Sequence, residues 1–185
     1  MGPLFTVGRF RDDIARRRTP LLAEIGQWTL DGPLADPVRS VDDVVRAVRP
    51  AVPRLDRGGA SFTTNTAARL TVTVLVPYAG DGIHFAHRPS CPPELDPPVG
   101  DWHRRVDGTP VLGLPENFAP DVDAATVRAW AARAVDTVEA YLAALRAEAA
   151  DATDRLLADL TDLAVRRAED LRRRELLTAE LGRGI

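Results

Sequence analysis

All three histidines and the only cysteine fall within twenty residues: His84, His87, Cys91 and His103, with Asp101 close by. Imidazole and thiolate are donors that zinc favours, so the cluster raises the question of a metal centre or a small metal-dependent enzyme. Spacing argues against it. On an extended strand His84 and His87, three residues apart, point to opposite faces. Cys91 runs straight into Pro92 and Pro93, which stiffen the chain behind it. As a nucleophile Cys91 would need a positioned base. His103 is the conceivable partner, but no local signature joins the two. The expectation is no cofactor and no catalytic residue, with the metal-dependent enzyme kept as the remotest alternative.

Two other constellations bear on chemistry. Gly58–Thr66 is glycine-led and rich in hydroxyls, and backbone N–H groups in such a loop can bind anions. It leads into a strand rather than a helix, so it reads as a connector. The densest positive runs are Arg16, Arg17 and Arg18, then Arg166 and Arg167 with Arg172, Arg173 and Arg174. Guanidinium clusters suit phosphates and give a nucleic-acid-sensing alternative. The plainer reading is a solvated helix face, because Glu169, Asp170 and Glu175 interleave the second run and can pair with it at helical spacing.

Composition excludes more than it suggests. All 24 positive side chains are arginine; lysine is absent. A P-loop, a protein-kinase centre and a Schiff-base site each need a lysine, so none occurs here in its usual form. A net charge of −3 gives no bulk attraction to nucleic acid or to an anionic membrane. A single cysteine cannot close an internal disulfide, and no apolar run approaches the roughly 18 residues of a membrane helix. A cytoplasmic protein that does not enter the membrane is expected.

These residues need elements to hold them. Apolar spacing predicts short helices between residues 10 and 48: one over Phe10–Arg18, one over Pro20–Trp28, and one over Ser40–Val48 capped by Ser40. Residues 69–76 alternate strictly, with Leu70, Val72, Val74 and Val76 on one face, and predict a strand that Pro77 ends. Ala79-Gly80-Asp81-Gly82 is a turn signal, so 83–87 reads as the returning strand and 109–114 as a third. The fold class is α+β: short N-terminal helices, a small antiparallel β-meander and a long C-terminal helix or helical hairpin. The domains are expected at 1–123 and 124–181.

The C-terminal pattern is the most distinctive. Beyond Pro120 there is no proline, and no glycine occurs between Gly113 and Gly182. An apolar stripe runs from Val127 to Leu163 with a mean step of about 3.6 residues, the period of a straight helix. Unbroken, residues 124–181 would extend about 87 Å, against about 40 Å for a compact domain of this length. Either the helix folds back, with residues 149–154 as the hinge, or it pairs with something. Val138, Tyr141, Leu145, Leu156, Leu160 and Leu163 are the stripe residues expected to meet that partner, a second copy or another protein.

Pro77-Tyr78-Ala79-Gly80-Asp81, then Phe85, Arg88-Pro89-Ser90 and Pro97-Pro98, resembles a region found in uncharacterised bacterial proteins. There a strand ending in a proline–aromatic–x–Gly–Asp turn precedes an Arg-Pro-Ser segment, a proline-rich link, a short strand and a long charged helix. Val138-Glu139-Ala140-Tyr141-Leu142 and Arg166-Arg167 look like the matching helix landmarks, so the resemblance covers roughly 65–181. In those proteins the region precedes a restriction-endonuclease-like domain with a Glu-x-Lys motif, which this lysine-free sequence does not contain. The resemblance carries over no functional residue. It implies an N-terminal sensing or assembly module, fitting a bacterial defence system. The leading expectation is a non-catalytic assembly or regulatory module that acts by protein–protein contact.

Overall fold

The computed structural model describes residues 1–66 and 69–183. It is an α+β chain with an antiparallel sheet and a long last helix. By packing it divides into two units, Met1–Asp12 with Pro50–Glu148, and Asp13–Arg49 with Ala149–Ile185. The division expected at Ala124 is therefore corrected. The long helix α3 (Ala124–Leu181) belongs to both units, its earlier residues to the first and its later ones to the second.

The first unit is built on alternation. Strand β4 (Leu70–Ala79) buries Val72, Val74 and Val76 and leaves Thr71, Thr73 and Leu75 partly exposed between them. Strand β6 (Pro110–Phe118) pairs beside it, with Val74 opposite Leu114 and Val76 opposite Leu112. Strands β5 (Val99–Arg104) and β1 (Gly2–Pro3) continue the sheet beyond β6. The other edge of β4 is shared by β2 (Arg54–Leu55) and β3 (Ser61–Asn65).

β4 continues past Pro77, where the sequence reading ends it. The Pro77 carbonyl accepts from Asp56 N–H at 2.8 Å. In a strand a residue's N–H and C=O point the same way. The donor that proline lacks would thus face the gap between the residues paired with β3 and those paired with β2, and the β4–β6 ladder loses nothing. The connector Gly58–Thr66 is likewise corrected, because it contains β3. Phe62 through Asn65 are exposed, so backbone pairing rather than burial holds this strand.

No returning strand forms over 83–87. Gly82–Phe85 is a 3₁₀ turn whose cap is Asp81, a carboxylate that accepts from Ile83 N–H at 3.1 Å. Gly80 sits just before it at φ +113, where a Cβ would lie 2.7 Å from the Ala51 carbonyl oxygen. Only glycine suits that position. The turn drives His84 and Phe85 into the core, and β6 takes the place beside β4.

The start of α3 closes this unit. Asp123 caps it, accepting from Thr126 N–H and from Thr126 Oγ1, each at 2.8 Å. Val135, Val138, Tyr141, Leu142 and Leu145 are buried. Tyr141 stacks on Phe5 with ring centroids 4.7 Å apart and donates its hydroxyl to Leu95 O at 2.6 Å.

The second unit is helical. Helix α1 (Phe10–Ile25) runs through Pro20, where the sequence reading places two separate helices. Proline withholds one hydrogen bond, but Leu21 and Ile25 beyond it are buried and hold the last turn. Helix α2 (Pro37–Ala47) starts before Ser40. Pro37 occupies its first turn, and Asp36 is the cap, accepting from Arg39 N–H at 3.2 Å. Leu21, Ile25, Trp28, Leu34, Val41 and Val45 form one core with Leu156, Leu160, Ala164 and Ala168 of α3. The hinge considered at 149–154 does not form. Thr153 donates back to Ala149 O at 2.6 Å, and Asp151 pairs with Arg155 at 2.7 Å, both inside continuous helix.

Candidate functional site

The histidines come together in a way that strand spacing does not foresee. A 3₁₀ turn has three residues per turn, so residues three apart eclipse one another. His84 Nδ1 and His87 Nδ1 are 3.2 Å apart, and Phe10 meets His84 edge-on at 5.2 Å. The expectation of opposite faces is corrected. Cys91 is exposed, and His103 faces Asp101 at 3.8 Å near the surface. Among the described residues no three His, Cys, Asp or Glu side chains are grouped so as to hold a metal ion. His84 and His87 alone give two donors, short of the set that zinc takes. His84 is buried and His87 is partly buried, both against Phe10.

The apolar stripe is likewise placed differently from expectation. Val138, Tyr141, Leu145, Leu156 and Leu160 are buried by the chain's own elements, and of the six only Leu163 is substantially exposed, at 39%. Helices α1 and α2 cover the later part of the stripe. Leu156 and Leu160 are core residues, so their substitution by aspartate reports on folding and not on a partner.

The arginine runs divide in the same manner. Arg17 is held by Asp13 at 2.8 Å and by the Val48 carbonyl at 2.7 Å; Arg18 faces Asp159 at 3.6 Å and Arg16 faces Asp13 at 3.5 Å. Arg166 and Arg173 make only long, exposed pairs with Asp162 and Asp170. Arg167 Nε is buried and makes no hydrogen bond among the described residues. Arg166, Arg167 and Arg174 rim an open groove of about 440 Å³, whose apolar lining is Leu22 and Ile25 of α1 with Leu163 and Leu171 of α3.

Past this groove the helix stands bare. Every residue from Arg172 to Leu181 is exposed, including Leu176, Leu177 and Leu181 at 65%, 56% and 67%. The sequence reading missed these three leucines because it ended the stripe at Leu163. Their signal was present in the Leu176-Leu177 doublet and in Leu181 four residues after Leu177.

What fold and surface define is an α+β protein with a long carboxy-terminal helix that exposes leucine at its end. Among the described residues no helix is long and apolar enough to cross a membrane. Comparison with protein-family models, with curated proteins and with solved structures finds no match to the chain.

Proposed function

We propose that this chain is a non-catalytic assembly module that pairs with a second copy of itself through the end of α3. The observation that carries the reading is the bare helical segment Arg172–Leu181 with its three exposed leucines. A few turns of helix without tertiary packing are marginal in water, so a segment of this kind gains from a partner. The groove beside it has the matching chemistry, with an apolar lining, a rim of arginines, and Arg167 Nε lacking an acceptor.

Register supports a second copy as that partner. Antiparallel pairing about a twofold axis near Arg172 sets Leu163 opposite Leu181 and Asp170 opposite Arg174, each in both directions. Glu180 then falls within one turn of the residue facing Arg167. Such self-complementarity is what a twofold interface requires. Here the partner surface is the helix end and not the stripe from Val138 to Leu160.

Mass in solution tests it. Light scattering on the full chain should give a dimer, and Leu177→Glu with Leu181→Glu should give a monomer with unchanged helical circular dichroism. A monomeric parent chain at about 100 μM, a concentration that detects even weak pairing, would refute the reading, as would a dimer that survives both substitutions. The nucleic-acid alternative makes a different demand. It requires salt-dependent DNA or RNA binding that weakens when Arg172, Arg173 and Arg174 become alanine.

A further inference from the structure

A second set of arginines, none of them in the runs that the sequence makes conspicuous, meets at one place in the sheet unit. The amino-terminal segment lies alongside the 3₁₀ turn and the residues after it. Phe5 N–H donates to Phe85 O at 2.6 Å, Val7 N–H to Ala86 O at 2.8 Å, and Arg88 N–H to Gly8 O at 3.0 Å; Phe10 N–H donates to Arg88 O at 3.2 Å. This makes Arg9 and Arg88 partners in a parallel β-bridge. Bridge partners sit side by side, about 4.8 Å apart between chains, with side chains leaving on the same side.

Two arginine side chains thereby leave the backbone as neighbours, and both reach the same cavity. Neither has an ion pair or a side-chain hydrogen bond among the described residues. Arg11 joins them, tied only to Asp12 at 3.7 Å with both side chains more than 60% exposed. Arg9, Arg11 and Arg88, with Pro89, Ser90 and Pro92, line a polar cavity of about 320 Å³. That size is at the lower end for small-ligand sites.

Glu148, the acid on α3 that reaches this segment, is engaged by Ser90. Glu148 accepts from Ser90 N–H at 2.8 Å through one oxygen and from Ser90 Oγ at 2.6 Å through the other. It clamps the Arg88–Ser90 segment to α3 and leaves the guanidiniums open. Side-by-side positive groups repel unless an anion lies between them. The planar fork of guanidinium matches phosphate oxygens in paired hydrogen bonds.

We propose that this cavity binds the phosphoryl group of a small ligand, with Arg9 and Arg88 as its two principal contacts and Arg11 at the rim. The site would give an assembly module something to sense, but it does not depend on the dimer. A monomeric chain would overturn the pairing above and leave this site standing.

Calorimetric titration of the full chain at low salt with inorganic phosphate, pyrophosphate and ATP tests it, with sodium chloride at matched ionic strength as the blank. Saturable binding of at least one phosphate compound is expected. Arg9→Gln with Arg88→Gln should weaken it roughly tenfold or more, the loss expected on removing charge-assisted hydrogen bonds. Arg172→Gln with Arg173→Gln should leave it unchanged. Equal affinity for pyrophosphate and ATP assigns a free phosphate, and tighter ATP binding assigns a nucleotide; either supports the site. No saturable binding, or the same loss in both double variants, overturns it. Unliganded melting temperatures, expected to be equal, show that a lost signal is not lost folding.

Discussion

In the sheet unit the side chains that α3 buries most fully are large, Val138, Tyr141, Leu142 and Leu145, with Ala131 and Val135 buried ahead of them, whereas in the helical unit they shrink from Leu156 and Leu160 to Ala164 and Ala168. The same helix is held by two means. Against a twisted sheet, bulky side chains fill the space above the pleat. Against α1 and α2, alanine joins leucine in one shared core. After Ala168 only Leu171 is partly buried, and from Arg172 on leucine returns on a surface that none of the other described residues buries. The lesson is that apolar content along a helix does not locate a partner site; the point where burial fails while leucine continues does.

Core substitutions should have the largest effect and should have opposite signs of volume in the two units. Leu142→Ala removes a fully buried side chain and should cost about 2–5 kcal/mol in urea unfolding. A cost below about 1 kcal/mol, the level of a surface change, would mean the sheet face is loosely packed. In the helical unit the damaging change is the reverse. Ala164→Leu overfills a position at 0% exposure and should cost about 1–3 kcal/mol. If it stabilises the protein instead, the space around Ala164 is not filled, and the contrast between the units collapses.

Tyr141 sharpens the comparison because it joins burial to a polar anchor. Tyr141→Phe loses the hydrogen bond to Leu95 O, worth about 1 kcal/mol. Burial raises the Tyr141 pKa above its ordinary value of 10.0, opposed by Arg88 and aided by Asp96. A raised folded-state pKa contributes stability that is complete below pH 10 and is lost as pH rises through the folded value. The parent chain should therefore weaken on alkaline titration more than the phenylalanine variant. Tyr78, also raised mainly by burial and by Asp81 against Arg104, keeps some alkaline sensitivity in both. Identical alkaline profiles would show that Tyr141 is not held as the geometry describes.

The parts of this fold that were legible in the sequence are those set by local spacing. Alternation in β4 and the unbroken helical period of α3 both survive in the structure, and so does the amphipathic helix over Val41–Val48, apart from its cap and its first turn. What escaped depends on partners distant in sequence. β3 is mostly polar, with Phe62 its one apolar side chain, and is held by the ladder that β4 supplies. β6 takes the place beside β4 expected for 83–87, where Asp81 caps a 3₁₀ turn instead. The histidine pair follows from that same turn, and strand spacing could not show it. The interaction surface was sought at the richest apolar stretch, which is the one that the rest of the chain covers. Leu176, Leu177 and Leu181 carried a readable signal, but only knowledge of where α1 and α2 end their cover of α3 gives it meaning. Arg9 and Arg88 are nearly eighty residues apart and isolated in sequence, so no charge run announces them.

The smallest expected effect lies at the start of α3 and tests whether the helix relies on its own ends as well as on the two units. Asp123 accepts the Thr126 N–H and hydroxyl, and these hydrogen bonds hold its carboxyl below the ordinary 3.8. Asp107 is lowered by the same device, the Thr109 N–H at 2.9 Å, in a turn with no helix to start, so the effect is local and needs no burial. A depressed folded-state pKa contributes stability that is present above the unfolded value and is lost as pH falls through the folded one. Below about pH 4 the cap should therefore release. The protection factor of the Thr126 amide should fall there while that of Leu142, deep in the sheet unit, does not change. Asp123→Ala should show the low Thr126 protection already at neutral pH, with no further fall in acid. If acid lowers protection at Thr126 and Leu142 together, the first turn of α3 opens only with the unit it covers, and the buried side chains rather than the cap decide where this helix begins.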